Sequence, residues 1–298
     1  MFNKYRKSQH EIYLKARQYF VENHRQLIEL EKYFSDTFYS VIGENIQAIA
    51  EDYNETSYLF PFWQNYPPDA RGRQPIGDQY PWIEVGEHVF SSKLTRLLEP
   101  IFRIRDVGLP TGADLRLVVS NEAVGTITKG FTSYCWLFVD VKSVGPRDDQ
   151  DHTVMSHNQI SGNGKWETFA DGIENTIMKA SGQRISHDFH SSAPPLFVLS
   201  NGSILPAICI VIKPVYRMLT LDNANSDGGQ PLGRIELVTI PNGLLLEEKP
   251  NYLAKYPSLF FPGKDDKSKN PVKVRCRVSF SILRLIAEWR VRTINVPS

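Results

Sequence analysis

The sequence predicts an α/β fold in which a mixed central β-sheet is flanked by helices. Apolar segments of strand length alternate with turns along most of the chain, helical periodicity is confined to a few stretches, and no repeating βαβ rhythm is present. No internal repeat or low-complexity linker divides the 298 residues. We therefore expect a single domain over 1–298.

An N-terminal helical segment is expected from about residue 8 to residue 52. It contains no proline and one glycine, and apolar side chains such as Phe20, Leu27 and Phe34 recur at helical spacing. We expect one long helix or two, packed on the rest of the fold.

A further helix is predicted over roughly 82–100, where Phe90 and Leu94 belong to an apolar stripe on which Glu87 also falls. A carboxylate on an inward-facing stripe is costly unless it is paired or bound. Two interpretations remain open: Glu87 reaches solvent at the edge of the helix, or it lies near a metal site.

Seven apolar segments beyond the N-terminal part are predicted to form the strands of the sheet: 101–107, 115–120, 134–144, 196–200, 204–219, 234–240 and 272–284. Residues 164–180 are predicted to form a short helix. The Asn-, Asp- and Gly-rich segment 220–235 reads as a variable loop, and 59–81 as a proline-rich loop.

Composition excludes several classes of protein. The net charge is +1, so any surface for a polyanion must be a local cluster balanced by acids elsewhere. Three scattered cysteines in apolar segments indicate reduced core residues. The sequence has no membrane-spanning stretch, secretory signal, P-loop, GxGxxG or nucleophile elbow, so we expect a cytoplasmic protein, and a metabolic enzyme is the least supported class.

The most informative segment is Leu137–Lys142, in which an apolar run ends with Asp140 and Lys142. Alternate strand residues point to the same face, so these two side chains project together, and Asp114 lies upstream on a second predicted strand. Two carboxylates that hold a divalent ion, beside a lysine, suit metal-dependent phosphodiester hydrolysis. An ordinary surface ion pair is the alternative.

Asp/Glu-x-Lys occurs three times, so the motif alone is weak. Glu247-Glu-Lys249 precedes a proline and Asp265-Asp-Lys267 follows Pro-Gly, and both are expected in solvated loops. Only the pair at Asp140 follows a strand that is predicted to be buried.

The clearest strand periodicity lies in 272–280, where apolar residues alternate with basic ones. Residues 263–277 hold six basic and two acidic side chains. A charged edge strand that discourages aggregation is one explanation. A DNA-reading surface is the other, since arginine or lysine donates to guanine and aspartate accepts from cytosine N4.

Several motifs, in order and with near-constant spacing from about residue 50 to 280, resemble the BglI family of type II restriction endonucleases. They include Pro61-Phe-Trp-Gln-Asn-Tyr-Pro-Pro68, Pro81-Trp-Ile-Glu-Val-Gly-Glu87, Gly108-Leu-Pro-Thr-Gly-Ala-Asp114, Phe138–Asp148, Asn158–Gly164 and Pro262-Gly-Lys-Asp-Asp266. The resemblance implies a restriction-endonuclease-like PD-(D/E)xK core and a homodimer that cuts both DNA strands at an interrupted palindrome.

The resemblance also implies which residues act. Asp114, Asp140 and Lys142 would be the catalytic set, with Glu87 a nearby acidic contributor. Mg²⁺, replaceable in binding by Mn²⁺ or Ca²⁺, would be held by Asp114, Asp140 and the carbonyl of Val141; one ion or two is left open. The family's proline before the first aspartate is replaced by Ala113. Because that proline orders the backbone without contributing chemistry, we expect activity to survive.

Five residues match positions that contact bases in the family: Asp148, Lys264, Asp266, Arg275 and Arg277. The implied target is GCCNNNNNGGC or a close variant, with a cognate DNA methyltransferase expected in the host. The aromatic loop 59–68 is a candidate dimer contact. Two alternatives remain: a related nuclease with a different target or with structure-dependent cutting, and a non-catalytic, sequence-specific DNA-binding protein.

Overall fold

A computed structural model of the chain describes residues 2–58, 81–106, 112–146, 148–217, 232–263 and 274–297. Residues 59–80 and 220–231 of the predicted loops lie outside this part of the chain, as do Lys264 and Asp266. Residues 232–235 are also expected in a loop, but they lie in a strand that runs from Leu232 to Ile240.

The described helices surround a mixed central sheet. They are α1 (Phe2–Glu22), α2 (His24–Glu44), α3 (Ile46–Tyr58), α4 (Pro81–Leu98), α5 (Glu122–Ile127), α6 (Gly243–Glu247), α7 (Tyr252–Lys255) and α8 (Phe280–Ile286), with a 3₁₀ turn at Glu288–Arg290. None of the described helices combines the length and apolar character needed to cross a membrane.

The central sheet has the strand order β1-β2-β3-β8-β9-β12, and β7 pairs with β8 outside this path. Its strands are β1 (Arg103–Asp106), β2 (Leu115–Ser120), β3 (Tyr134–Val141), β7 (Leu196–Val198), β8 (Ile204–Tyr216), β9 (Leu232–Ile240) and β12 (Val291–Asn295). The β3–β8 pairing is parallel, and the other pairings in this sheet are antiparallel. The predicted mixed sheet flanked by helices is confirmed.

Two smaller sheets lie beside the central one. The strand order β10 (Phe260–Phe261), β11 (Cys276–Ser279) and β4 (His152–Met155) forms the first, and β5 (Met178–Ser181) pairs with β6 (Ser186–Phe189) to form the second. Because β11 has a partner on both sides, the first of the two explanations for its alternating basic pattern, a charged edge strand that discourages aggregation, is wrong.

Strand β3 is buried on both faces, and its side chains alternate between two apolar cores. Leu137 and Val139 pack with the helices α1 to α4, whereas Trp136 and Phe138 pack with residues of the two smaller sheets. Asp140 continues the alternation of Trp136 and Phe138, so its carboxylate lies on the face of the central sheet that the two small sheets cover.

The predicted helix over 8–52 is present but is divided into three helices instead of one or two. The breaks fall at Asn23 and Asn45, whose side-chain amides donate to the carbonyls of Tyr19 and Val41, 2.9 Å away in each case. An asparagine that bonds to the backbone four residues earlier competes with helix propagation and favours a change of direction.

Two other expectations about secondary structure are wrong. Residues 164–177 are not helical, because Asn175 bonds the distant carbonyls of Ser191 and Ala193 and the strand β5 follows. The predicted strand 272–284 ends at Ser279, whose hydroxyl accepts a bond from the Ile282 amide and begins α8. The three cysteines are free and buried, as expected.

A fully buried ion pair joins α2 to the end of the chain. Arg290 Nη2 lies 2.7 Å from Glu31 Oε2, both side chains are 0% exposed, and Glu31 Oε1 also accepts the Asn242 amide at 2.6 Å. The Arg290 guanidinium donates to the Thr239 carbonyl as well. These bonds fix α2 against the ends of β9 and β12.

We predict that Glu31→Ala lowers the free energy of unfolding by about 3–5 kcal/mol, because it leaves Arg290 buried without its carboxylate. Urea denaturation followed by circular dichroism measures this. Glu29→Ala, at an exposed position of the same helix, is the control and should change stability by less than about 0.5 kcal/mol. Equal losses in the two variants would contradict the prediction.

Candidate active site

The register of β2 and β3 places the first two predicted catalytic residues opposite each other. Leu115 pairs with Val139, so extending the antiparallel ladder by one residue faces Asp114 with Asp140. Paired residues project to the same face of a sheet, and like charges directly opposite each other are destabilising. The Asp114 carboxylate is held by the Val141 amide, which donates to its Oδ2 at 2.6 Å.

One cationic group and one neutral hydrogen-bond donor contact the buried carboxylate of Asp140. Lys142 Nζ lies 2.5 Å from Oδ2, and the Gln159 amide nitrogen donates to Oδ1 at 2.5 Å. The Asp140 side chain is 3% exposed, whereas that of Lys142 is 31% exposed. The pair therefore differs from an ordinary surface ion pair, because its carboxylate is buried while its lysine side chain is partly exposed.

Gln159 is a site residue to which the sequence analysis gave no role. Its amide nitrogen also donates to the Gly112 carbonyl at 3.1 Å, and its Oε1 accepts the Ser156 amide at 2.8 Å. The side chain is 7% exposed. It therefore links Asp140 to the segment that carries Asp114, and no periodicity in the sequence signals this bridge.

The backbone of Glu87 lies in α4, directly after Gly86. A Cβ at Gly86 would lie 1.9 Å from the Ser143 hydroxyl, so a larger residue there would force Ser143 to move, and the helix lies close to the residue that follows Lys142. Because of this contact, the backbone of Glu87 lies near the C-terminal end of β3. The Glu87 side chain is outside the described part of the structure.

One stretch of chain connects the predicted catalytic residues with the predicted base-contacting residues. It begins at Lys142, carries the exposed Asp148 and ends in β4. Strand β4 in turn pairs with β11, which contains Arg277 and follows Arg275. Arg277 lies opposite Val154 in that pairing and donates to His152 Nε2 at 3.1 Å. Arg275 is exposed, and its carbonyl accepts a bond from His187 Nε2 at 2.9 Å.

The oxygen donors at the ends of β2 and β3 fit a hard divalent cation. Each carboxylate oxygen has two lone pairs, so one that accepts a hydrogen bond can still ligate an ion. The described residues contain no cluster of three or more His, Cys, Asp or Glu side chains suited to a metal. Two carboxylates are nevertheless sufficient for Mg²⁺, which usually keeps several waters and takes further ligands from substrate phosphates.

The second Asp/Glu-x-Lys motif, Glu247-Glu-Lys249, has a structural role. Its expected placement in a solvated loop is wrong. Glu247 ends α6 and is half-buried; one carboxylate oxygen accepts the Asn163 amide at 2.9 Å and the other accepts the Thr176 hydroxyl. Burial raises the pKa of Glu247 to about 7, although the Asn163 amide opposes the shift. The third motif, at Asp265 and Lys267, lies outside the described residues.

Comparison with known proteins gives the chain a class and a family. The chain is 42% identical to the type II restriction enzyme BglI of Bacillus subtilis, with 99% of both sequences covered. The crystal structure of BglI bound to its DNA recognition sequence superposes with a TM-score of 0.89 over 99% of each chain. The tetrameric enzyme SfiI, solved with cognate DNA, shares the fold at 14% identity, with a TM-score of 0.58 over 91% of this chain and 84% of its own.

The fold and the relatives are those of a type II restriction endonuclease. The family model described as restriction endonuclease BglI matches residues 8–294, and the chain belongs to that family.

We predict a pH-dependent contribution of Glu247 to stability. Its folded-state pKa of about 7 is raised above the usual 4.5, so its contribution is fully present below about pH 4.5 and is lost as pH rises through 7. Chemical denaturation between pH 5 and 8 should therefore show wild-type protein losing stability relative to Glu247→Gln as pH rises. Glu167→Gln, an exposed control, should track the wild type. A constant offset for Glu247→Gln would refute the prediction.

Proposed function

We propose that this protein cleaves both strands of double-stranded DNA in a Mg²⁺-dependent reaction at an interrupted palindrome, most simply GCCNNNNNGGC. The observation that carries the proposal is the position of Asp114 opposite Asp140 at adjacent strand ends, with Lys142 on the Asp140 carboxylate. In a member of the BglI family, this arrangement supports metal-assisted phosphodiester hydrolysis as the proposed reaction.

Asp114, Asp140 and the carbonyl of Val141 would hold the divalent ion. When bound, Mg²⁺ supplies Lewis acidity toward a phosphate oxygen and favours ionisation of water. The chain itself keeps the two carboxylates apart and oriented: the Val141 amide restrains Asp114, and Gln159 restrains Asp140. Because the main-chain donor and the buried amide are fixed before substrate arrives, the ligands need little reorganisation.

Lys142 would act on the substrate directly. Its ammonium group is partly exposed beside the Asp140 carboxylate, where it can orient the attacking water and stabilise the negative charge that develops on the phosphate. Glu87 is proposed as a further acidic group near this site, because the adjacent Gly86 approaches Ser143.

Base reading is proposed for Asp148, Lys264, Asp266, Arg275 and Arg277. Arginine and lysine donate to guanine O6 and N7 in the major groove, and an aspartate accepts from cytosine N4, so this set suits a site made of G·C pairs. The exposure of Asp148 and Arg275 is consistent with such contacts.

A palindromic target calls for a two-fold assembly in which each subunit reads one half-site. We therefore propose a homodimer, in which the distance between the two sites is set by the subunit interface. A cognate DNA methyltransferase in the host is proposed as the partner activity of a restriction-modification system.

The decisive experiment is digestion of a sequenced plasmid with magnesium or with EDTA, followed by sequencing of the ends. Magnesium-dependent ends at GCCNNNNNGGC are expected. Discrete ends at another site would overturn the base-contact assignment alone, and scattered ends would instead support structure-dependent cutting. Specific binding without cutting would contradict the catalytic assignment and favour a non-catalytic DNA-binding protein.

Lys142→Ala serves as the catalytic control in this assay. It should lower cleavage by at least about 10²–10³-fold, because charge stabilisation is lost, while specific binding to the target duplex is retained. Lys179→Ala removes an exposed lysine from β5 and should cut normally. Joint loss of folding and binding in Lys142→Ala would point to a structural role.

We predict that Gln159→Leu slows cleavage by about 10–100-fold, since Asp140 loses the donor that orients it. Raising the magnesium concentration should restore part of the rate, and binding of the target in calcium should change little. Single-turnover cleavage across a magnesium series measures this. Gln47→Leu, on the exposed face of α3, is the control. A magnesium-independent deficit would argue against a role in orienting the ligand.

A further inference from the structure

Lys213 is a buried lysine that the catalytic assignment does not use. It lies in β8, its side chain is 2% exposed, and its ammonium group donates to the carbonyls of Gln150 at 2.6 Å and His152 at 3.3 Å. Burial lowers the pKa of Lys213, whereas the Asp149 and Glu236 carboxylates raise it. Both carbonyls belong to the segment 148–152, which follows the catalytic strand and contains Asp148.

The register of β3 and β8 places Lys213 beside the catalytic strand end. Asp140 pairs with Val211 and Val141 with Ile212, so one further step puts Lys142 beside Lys213 on the same sheet face. The Lys142 amide donates to the Ile212 carbonyl at 2.8 Å, and the Val144 amide donates to the Pro214 carbonyl at 3.0 Å. The carbonyls of Ile212 and Pro214 therefore hold the backbone on either side of Lys142. The side chain of Lys213, which lies between them in β8, holds the segment that contains Asp148.

Neighbouring charges hold the same segment from a second side. Asp149 lies 3.7 Å from Lys213 Nζ and forms an ion pair with Arg234 at 2.5 Å, while Arg234 also bonds Glu236 at 2.9 Å. Lys213 and Glu236 face each other in the pairing of β8 with β9. The segment is thus attached to two strands of the central sheet.

We propose that Lys213 is a positioning residue that sets the specificity of this enzyme by fixing Asp148 relative to the catalytic strand end. The inference rests on the proposed function, in which Asp148 reads a base. An exposed carboxylate on a loop discriminates between bases only if its backbone is held rigidly, because a shift of about 1 Å breaks hydrogen-bond geometry. Lys213 supplies that restraint from the sheet that also carries Asp140 and Lys142.

The test compares Asp148→Ala, Lys213→Met and wild type on duplexes that carry the target or a single changed base pair. Asp148→Ala first identifies the base pair that Asp148 reads, from the position at which discrimination falls. Lys213→Met keeps the length and apolar stem of the side chain but removes the donor. It should lower discrimination at that same base pair on the order of tenfold, and raise the KM for the target more than it lowers kcat.

Matched variants separate positioning from a general structural role. Lys179→Met, exposed on β5, should behave as wild type. If Lys213→Met is folded and its discrimination is unchanged, or if it slows equally on every duplex, the inference is wrong. If Lys213→Met does not fold, discrimination is measured on the same duplexes with Asp149→Asn. Asp149 holds the same segment, and because it is partly exposed its substitution costs less stability.

Failure of the proposed function and failure of the inference about Lys213 give different results in this comparison. Unchanged discrimination in Asp148→Ala would remove the proposed base contact and the inference with it. A selective loss in Asp148→Ala together with unchanged discrimination in folded Lys213→Met, or in Asp149→Asn where Lys213→Met does not fold, would remove the inference alone and leave the proposed function intact.

Discussion

The pairing of β3 with an antiparallel strand on one side and a parallel strand on the other is the constraint on which the site depends. Partner β2 sets Asp114 opposite Asp140, and partner β8 holds the backbone at Lys142. Because side chains alternate along a strand, a slip of one residue in either pairing would turn the carboxylates into the opposite core. The burial of β3 on both faces opposes such a slip.

Two carboxylates held opposite each other carry an electrostatic cost, and the surrounding groups offset it only partly. A main-chain amide, a buried glutamine and a half-exposed lysine contact the pair. Such an arrangement of oxygen donors suits a divalent cation, whose positive charge would offset the repulsion between the two carboxylates. The Glu31–Arg290 pair is different in kind, because its two charges satisfy each other and join α2 to the sheet.

Part of the fold was predictable because it depends on local pattern. The strand limits at Leu115–Ser120 and the start of β3 at Tyr134 agree with the apolar segments. The failures arise where distant partners override the pattern: Asn175 bonds the backbone near Ser191, so 164–177 is not helical, and the hydroxyl of Ser279 ends a strand that alternation alone would extend.

The sequence by itself determined the side chains on which the proposed chemistry rests, because strand alternation puts Asp140 and Lys142 on one face and the family motifs single out Asp114. Only the tertiary structure decided which groups support that chemistry. Gln159 and Lys213 donate hydrogen bonds to residues 19 to 63 positions away, and no local periodicity encodes such contacts. Glu247 begins the same kind of Asp/Glu-x-Lys motif as Asp140, but its hydrogen bonds with Asn163 and Thr176 give it a structural role.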